Sequence, residues 1–188
     1  SFIKALLQNK ISASKIFIIE KNISPELKKI KLQKKITIVK DASKFSKNFK
    51  PSIVLLAVKP NQLGLAMSEE LIDLISDSLI ISIIAGKKIR ELKKITKNKN
   101  KTVRAMTNTP VSLGMGTSIL FFDKKINKKD KILAKEFLAL VGQVNEARNE
   151  SIIDTFTAIY GSGPAYIFLM IETLIKISSK AGLKNSEN

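Results

Sequence analysis

Histidine and cysteine are both absent from the 188-residue sequence, and each absence excludes a class of chemistry. Without histidine, the chain lacks the commonest general base near neutral pH, the commonest metal ligand, and the Ser-His and Cys-His nucleophile pairs. Without cysteine it forms no disulfide, which suits a reducing compartment, and we expect a cytoplasmic protein. No acidic cluster has obvious metal-ligand spacing, so we expect no metal site.

Arginine is scarce although the net charge is +17. Of the 33 basic residues only Arg90, Arg104 and Arg148 are arginine, so 30 are lysine. Arginine reads base edges and forks onto phosphate, and no aromatic side chains interleave the lysines as a stacking platform would require. We therefore expect no specific nucleic-acid partner. A non-catalytic, lysine-rich nucleic-acid-binding protein is the alternative from a different class.

Long apolar runs are also missing. Asp154 and Glu172 interrupt the two most apolar stretches before either reaches the roughly 18 residues of a membrane span. We expect a soluble protein that has no membrane partner.

Short apolar runs, bounded by polar residues or proline, alternate with segments of helical spacing as far as about Val144. Runs typical of buried strands occupy residues 16–19, 36–39, 53–58, 79–84, 102–106 and 117–122. They are uniformly apolar, as parallel strands covered on both faces tend to be. The alternation predicts an α/β fold with a doubly wound, mostly parallel sheet. Residues 152–158 and 165–181 then predict two helices with no strand between them.

Polar or small residues follow three of the predicted strands directly. They are Lys59-Pro60, Ala85-Gly86 and the segment from Thr107 to Pro110. If these strands are parallel, the three breaks share the carboxyl edge of the sheet, where open α/β sheets bind ligands. Each break taken alone could be an ordinary turn, and Lys59 could be a solvent-exposed lysine at a strand end.

A glycine-rich break, Tyr160 to Pro164, lies between the two last predicted helices. Its glycines free the backbone and Pro164 can start a helix, which would leave N–H groups available to an anion. The same small residues would equally allow two helices to cross closely. The sequence leaves both interpretations open.

Taken together, the motifs resemble those of pyrroline-5-carboxylate reductases, in that family's order and near its spacing. The motifs are Ala57 to Pro60, Ser82 to Gly86, Met106 to Pro110 with Gly114 and Gly116, Val141-Gly142, Glu150, Asp154, Thr157-Ala158 and Gly161 to Tyr166. The resemblance implies a Rossmann-type dinucleotide-binding domain at residues 1–150, truncated at its amino terminus. It also implies the start of a helical dimerisation and substrate domain at residues 151–188, truncated at its carboxyl terminus.

The resemblance further implies roles for individual residues. The cofactor-binding candidates are Ala57, Val58, Lys59, Pro60, Ile83, Ile84, Ala85, Asn108 and Asp41, although Asp41 stands where the family usually has an asparagine. The substrate-binding candidates are Glu150, Ser162 and Gly163. No catalytic side chain is identified, which agrees with the missing histidine because a protonated imine is already electrophilic at carbon.

The implied activity is an oxidoreductase that reduces 1-pyrroline-5-carboxylate to L-proline, the last step of proline biosynthesis. NADPH is the expected cofactor and NADH is possible, because Glu20 would repel a 2′-phosphate whereas Lys21 and Asn22 could receive it. The implied assembly is a homodimer or a higher homo-oligomer. The rival within the same class is another Rossmann imine or β-hydroxyacid dehydrogenase. The family's glycine-rich phosphate loop would precede residue 1 and much of its substrate pocket would follow residue 183, so we expect residues 1–188 alone to be inactive.

Overall fold

The computed structural model describes residues 2–9, 11–46, 48–97 and 100–183. The helices are α1 (Phe2–Gln8), α2 (Pro25–Lys34), α3 (Leu63–Ala66), α4 (Glu69–Leu74), α5 (Ile89–Ile95), α6 (Lys128–Ala139), α7 (Ser151–Phe156) and α8 (Gly163–Lys180). The strands are β1 (Phe17–Ile19), β2 (Thr37–Val39), β3 (Ile53–Leu56), β4 (Leu79–Ser82), β5 (Lys101–Thr107), β6 (Gly116–Phe122) and β7 (Gly142–Glu146).

Two sheets are formed by the described strands. The larger has the order β3-β4-β5-β6-β7 and the smaller pairs β1 with β2. All neighbouring strands are parallel except β5 and β6, which are antiparallel. The predicted α/β fold with a mostly parallel sheet is therefore confirmed, as is the helical character of the region after β7.

Helices cover both faces of the larger sheet. On one face, Leu56 and Ile80 pack with Leu63, Ile72 and Leu92 from α3, α4 and α5. On the other, a second cluster joins the sheet to α6, and its members include Ile81, Val103, Leu120, Ala134 and Leu138. Complete burial of an aliphatic side chain of this size contributes about 1.5–3 kcal/mol, so these two layers hold the sheet between its helices.

Strand burial differs from the uniform burial that the apolar runs predicted. All of β4 is buried, and so is most of β5. In β1, by contrast, the exposed fractions of Phe17 and Ile19 are 41% and 38%. The prediction is wrong for β1 because only one face of the strand is covered: Ile16 and Ile18 pack in a core cluster, whereas Phe17 and Ile19 point to the opposite face.

Helix boundaries follow local capping groups. The Ser24 hydroxyl accepts the Leu27 N–H at 3.2 Å and Pro25 occupies the first turn of α2, as the sequence predicts. Ser68 caps α4 in the same way, at 3.3 Å from the Leu71 N–H. Helical spacing predicts a single helix over residues 63–75, and this cap divides it into α3 and α4.

The carboxyl-terminal region is one continuous helical rod rather than two helices separated by a loop. A π-helical segment, Thr157–Gly161, joins α7 to α8. The predicted helical unit extends to residue 188, and its last five residues, 184–188, lie outside the described residues.

The rod also changes the expectation about membrane spans. Ser151–Lys180 contains an 18-residue window of mean hydropathy 1.3, none of which is buried, and this is long and apolar enough to cross a membrane by length and composition alone. The expectation that Asp154 and Glu172 exclude such a run is wrong, because the helix continues through both positions and its apolar residues outnumber the charged ones.

Candidate functional site

Three loops that the family resemblance assigns to a cofactor lie along one edge of the larger sheet. The parallel register aligns Leu56 with Ser82 and Ser82 with Arg104, so β3, β4 and β5 end on the same side. The Ile83 N–H continues this pairing to the Leu56 carbonyl at 3.0 Å. Neighbouring strands are about 4.8 Å apart, so the segments that follow them meet at this edge. The structure thus brings together the segment Ala57–Pro60, the segment Ile83–Ala85 and Asn108.

The loop after β4 presents its backbone to solvent. Ile84 is buried and anchors the loop in the core, whereas Ala85 and Gly86 are exposed. Gly86 has a φ of +71°, a left-handed conformation that glycine adopts without strain. In the loop after β3, Val58 packs against the core while Ala57, Lys59 and Pro60 are exposed. Both loops can therefore offer main-chain groups to a ligand lying across the sheet edge.

Asn108 is held in one orientation by the start of β6. Its side-chain Oδ1 accepts the Thr117 N–H at 2.9 Å, and its own N–H donates to the Thr117 carbonyl at 3.3 Å. These contacts use the oxygen side of the amide and leave the NH₂ group as a donor for a ligand. The half-buried position of Asn108 at the end of β5 suits that use.

Asp41 is not brought into contact with these loops. It follows β2 in the smaller sheet, accepts the Ser43 N–H at 3.0 Å, and also accepts a hydrogen bond from the Ser43 hydroxyl. The Ser43 hydroxyl contributes most to lowering the pKa of the Asp41 carboxyl. Asp41 therefore caps the 3-10 turn Ala42–Lys44, which packs against α4, and no described contact joins it to Asn108.

Glu150 reaches the amino terminus of α5. Its Oε1 accepts the Ile89 N–H at 2.7 Å and lies 3.5 Å from Nη1 of Arg104. The Ile89 N–H has no partner within its own helix because it belongs to the first turn, so Glu150 satisfies it from 61 positions away in the sequence. This contact connects the substrate-side candidate to the chain that follows the cofactor loop.

Sequence reasoning missed Arg104 and Asp154 as members of this site. Nη2 of Arg104 donates to Oδ1 of Asp154 at 2.5 Å. The available signal was an arginine flanked by the apolar residues Val103 and Ala105 in a predicted strand, because such a residue is buried only when it is paired.

Ser162 and Gly163 lie at the end of the π-helical segment. The Ser162 N–H donates to the Thr157 carbonyl at 3.1 Å, and the Ser162 hydroxyl donates to the same carbonyl at 3.4 Å. Of the two interpretations that the sequence leaves open, a loop with free N–H groups is not what the structure has, because the chain continues through a π-helix at this point. This segment packs against β5, and π-helical turns occur frequently at functional sites.

Glu150 also lines an open pocket of about 520 Å³ between α5 and the end of β6. The basic residues around it are Arg90, Lys93, Lys94 and Lys124. None of the three edge loops lines this pocket, so we place the candidate site at the sheet edge and not here. In the described part of the chain, no group of three or more acidic side chains is arranged to hold a metal ion.

The fold defines the class: this is a Rossmann-type α/β chain whose candidate ligand site lies at the carboxyl ends of its parallel strands. Residues 150–188 match the family model described as pyrroline-5-carboxylate reductase dimerisation. A pyrroline-5-carboxylate reductase of Haemophilus influenzae is 35% identical over 134 residues, which are 71% of this chain and 49% of that relative.

Solved structures agree. The pyrroline-5-carboxylate reductase of Coxiella burnetii is 32% identical, with a TM-score of 0.79 over 97% of this chain and 67% of that one. The Plasmodium falciparum enzyme, solved with NADP bound, is 28% identical, with a TM-score of 0.82 over 97% of this chain and 66% of that one. The chain belongs to the pyrroline-5-carboxylate reductase family. It spans about half the length of the curated relatives it matches, for example 49% of the Haemophilus influenzae protein.

Proposed function

We propose that the protein reduces 1-pyrroline-5-carboxylate to L-proline with a nicotinamide dinucleotide, as the last step of proline biosynthesis. The observation that carries this proposal is the arrangement of Asn108, the Ile83–Ala85 loop and the Ala57–Pro60 loop on one sheet edge, in a chain of this family. The comparisons do not favour the two alternatives, which are another Rossmann imine or β-hydroxyacid dehydrogenase and a lysine-rich nucleic-acid-binding protein.

The residues present fit a dinucleotide lying along this edge. Ala57, Lys59 and Ala85 are exposed there, and among the described residues the Asn108 NH₂ group at the end of β5 has no hydrogen-bond acceptor, so it can donate to a ligand. The adenosine end of such a ligand would lie toward the smaller sheet, where Asp41 follows β2. A bound nicotinamide ring would supply the hydride. We propose that Asn108 and Lys59 orient the ring and that the loop backbones hold the rest of the ligand.

On the substrate side, the protonated imine carries a positive charge until its carbon is reduced. A carboxylate nearby stabilises that cation and so raises the fraction that is ready to react near neutral pH. We propose that Glu150 supplies this negative charge and that Ser162 and Gly163 border the substrate. Since the imine is electrophilic once it is protonated, orientation and charge account for the reaction without a histidine.

NADPH is the proposed cofactor, with NADH as the alternative. Oε1 of Glu20 accepts the Asn22 N–H at 3.0 Å, so the carboxylate is turned toward its own loop. Lys21 stays available to meet a 2′-phosphate in that arrangement. Comparing kcat/KM for the two cofactors tests this proposal. A strong preference for NADH would show that repulsion of the 2′-phosphate by Glu20 determines the choice of cofactor.

We propose that α8 forms the interface of a homodimer or a higher homo-oligomer. Large apolar side chains on α8 are exposed, for example Phe168 at 66% and Leu169 at 64%, and residues 150–188 match a dimerisation family model. Covering this surface with a second copy explains its composition without a membrane. We also propose the division into a dinucleotide-binding domain, 1–150, and a helical domain from 151, and a cytoplasmic location.

The test is an assay of reduced-nicotinamide oxidation with 1-pyrroline-5-carboxylate, using the full-length protein. Titration with NADPH and with duplex DNA at two salt concentrations accompanies it, because nonspecific DNA affinity falls steeply with salt. We expect turnover, dinucleotide binding, and weak DNA binding that salt abolishes. Salt-resistant DNA binding without turnover would contradict the proposal. A parallel assay of residues 1–188 alone tests the expectation that this segment is inactive.

A further inference from the structure

Arg104 differs from the other arginines in its surroundings. Arg90 and Arg148 are exposed, whereas Arg104 is 0% exposed in the middle of β5. Its register partner in β4 is Ser82, so it lies on the sheet face that α5 and α7 cover. A buried guanidinium is costly unless it is paired, and here its partners are two carboxylates from the start of α7.

Those carboxylates are Glu150 and Asp154, which are four positions apart and therefore lie on the same side of α7. Arg104 stands between them, with Nη2 at 2.5 Å from Oδ1 of Asp154 and Nη1 at 3.5 Å from Oε1 of Glu150. Its charge offsets the repulsion between the two acids. Without it, two like charges would face each other across this site, and the two carboxylates would turn away from each other toward solvent.

The same Glu150 oxygen accepts the Ile89 N–H at 2.7 Å, so Oε1 is hydrogen-bonded to the amino terminus of α5 and ion-paired with Arg104, whose Nη1 makes no hydrogen bond among the described residues. In the part of the chain that the structure describes, the side-chain hydrogen bond and ion pair of Glu150 both involve Oε1. This arrangement fixes the carboxyl group through one oxygen and leaves Oε2 for another partner. Fixing Glu150 also fixes α5, which begins directly after the loop that carries Ile83 to Ala85.

We propose that Arg104 is a positioning residue that holds Glu150 against the amino terminus of α5, so that one carboxylate links the dinucleotide-facing loop to the substrate-facing helix. The kinetic part of this proposal rests on the proposed function. The structural part, which is the dependence of the Ile89–Glu150 hydrogen bond on Arg104, is independent of the proposed function. A merely structural Arg104 would stabilise the fold without controlling Glu150.

The first measurement is residue-resolved hydrogen exchange at the Ile89 amide in the full-length protein. Because Ile89 has no helical partner, its protection reports the contact with Glu150. We expect Glu150→Ala and Arg104→Met to accelerate this exchange by similar factors, about tenfold for one hydrogen bond to a charged group. The matched control is Lys93→Met, which removes a partly buried ion pair with Asp123 from the same helix and should leave Ile89 unchanged.

The second measurement is kinetic. We expect Arg104→Met to raise KM for the imine more than it weakens dinucleotide binding. In the Glu150→Ala background, Arg104→Met should raise KM further by less than about threefold, because the effects of coupled residues are non-additive. Arg104→Lys retains the charge but not the fork to two carboxylates, so it should recover only part of the loss. If Arg104→Met does not fold, both measurements are made on Arg104→Lys and Asp154→Asn instead.

The outcomes separate the two proposals. Unchanged Ile89 exchange in the folded Arg104 variants, or multiplicative losses in the double variant, would overturn the positioning role. A wild-type protein that binds dinucleotide but reduces no imine would overturn the proposed function. In that event the exchange measurement alone still decides whether Arg104 holds Glu150.

Discussion

Replacing Gly142 with alanine tests the close backbone contact between the first residues of β6 and β7. Gly142 begins β7 with a φ of +140°, and a Cβ built there would lie 1.9 Å from the Gly116 carbonyl oxygen and 2.6 Å from the Gly116 nitrogen. Both atoms are backbone, so no side chain can rotate out of the way. Gly116 is the first residue of β6, one position before Thr117, which holds Asn108.

The expected cost has two parts. A non-glycine residue in that backbone region loses about 1–3 kcal/mol, and displacing a packed neighbour costs about 1–3 kcal/mol more. We therefore expect Gly142→Ala to lower the free energy of unfolding by about 2–6 kcal/mol, as measured by urea denaturation. Where the variant still folds, dinucleotide affinity should also fall, because the start of β6 must move and Asn108 is bonded to it.

Gly64→Ala is the matched control. Gly64 lies in α3, where no atom comes within 4 Å of an added Cβ and φ is not positive. Alanine in a helix is about 0.5–1 kcal/mol better than glycine, so this variant should be neutral or more stable. Equal stability of the two variants would refute the reasoning, because it would mean that the strands around Gly116 and Gly142 are not in close contact.

Three further predictions concern other parts of the chain. Asn108→Asp keeps the oxygen that accepts the Thr117 N–H but removes the NH₂ donors, so dinucleotide affinity should fall about tenfold with little change in Tm; unchanged affinity would place the nicotinamide elsewhere. The Lys135 ammonium lowers the pKa of the Glu146 carboxyl, so Glu146→Gln should cost less than about 1 kcal/mol near neutral pH. This difference should disappear as the pH falls through the lowered folded-state pKa; a difference that persists in acid would exclude the ion pair as its cause. Leu169→Glu should dissociate the proposed homo-oligomer in sedimentation experiments while Lys180→Glu on the same helix does not, and equal behaviour of the two would argue against α8 as the interface.

The fold was predictable where local chemistry decides it. The apolar runs at residues 53–58 and 79–84 contain β3 and β4, and Ser24 with Pro25 starts α2 as predicted. The sequence analysis did not predict β7, because Gly142–Glu146 is polar, half exposed, and defined only by pairing with β6. Helical spacing also failed to reveal the division at Ser68, where one hydroxyl cap outweighs the periodicity.

The site was predictable only in part, for a related reason. Residues at strand ends, such as Lys59 and Asn108, are placed by topology, which the alternation of runs already indicates. Glu150 and Arg104 are brought together by the packing of α7 on the sheet, and their separation in sequence gives no periodicity to detect. An arginine in an apolar strand was the one visible signal, and it predicts a paired cation without naming its partners.

The course of α7 relates the candidate substrate-binding residues to β5. The helix starts beside the middle of β5, where Glu150 and Asp154 meet Arg104, and one turn later Phe156 packs with Met106 near the end of that strand. The π-helical segment then packs against β5 and ends at Gly161, directly before Ser162 and Gly163. A shift of α7 along β5 would therefore move these residues together and pull Glu150 away from Ile89. Because Arg104 pairs with both acids from a fully buried position, we expect it to oppose that shift.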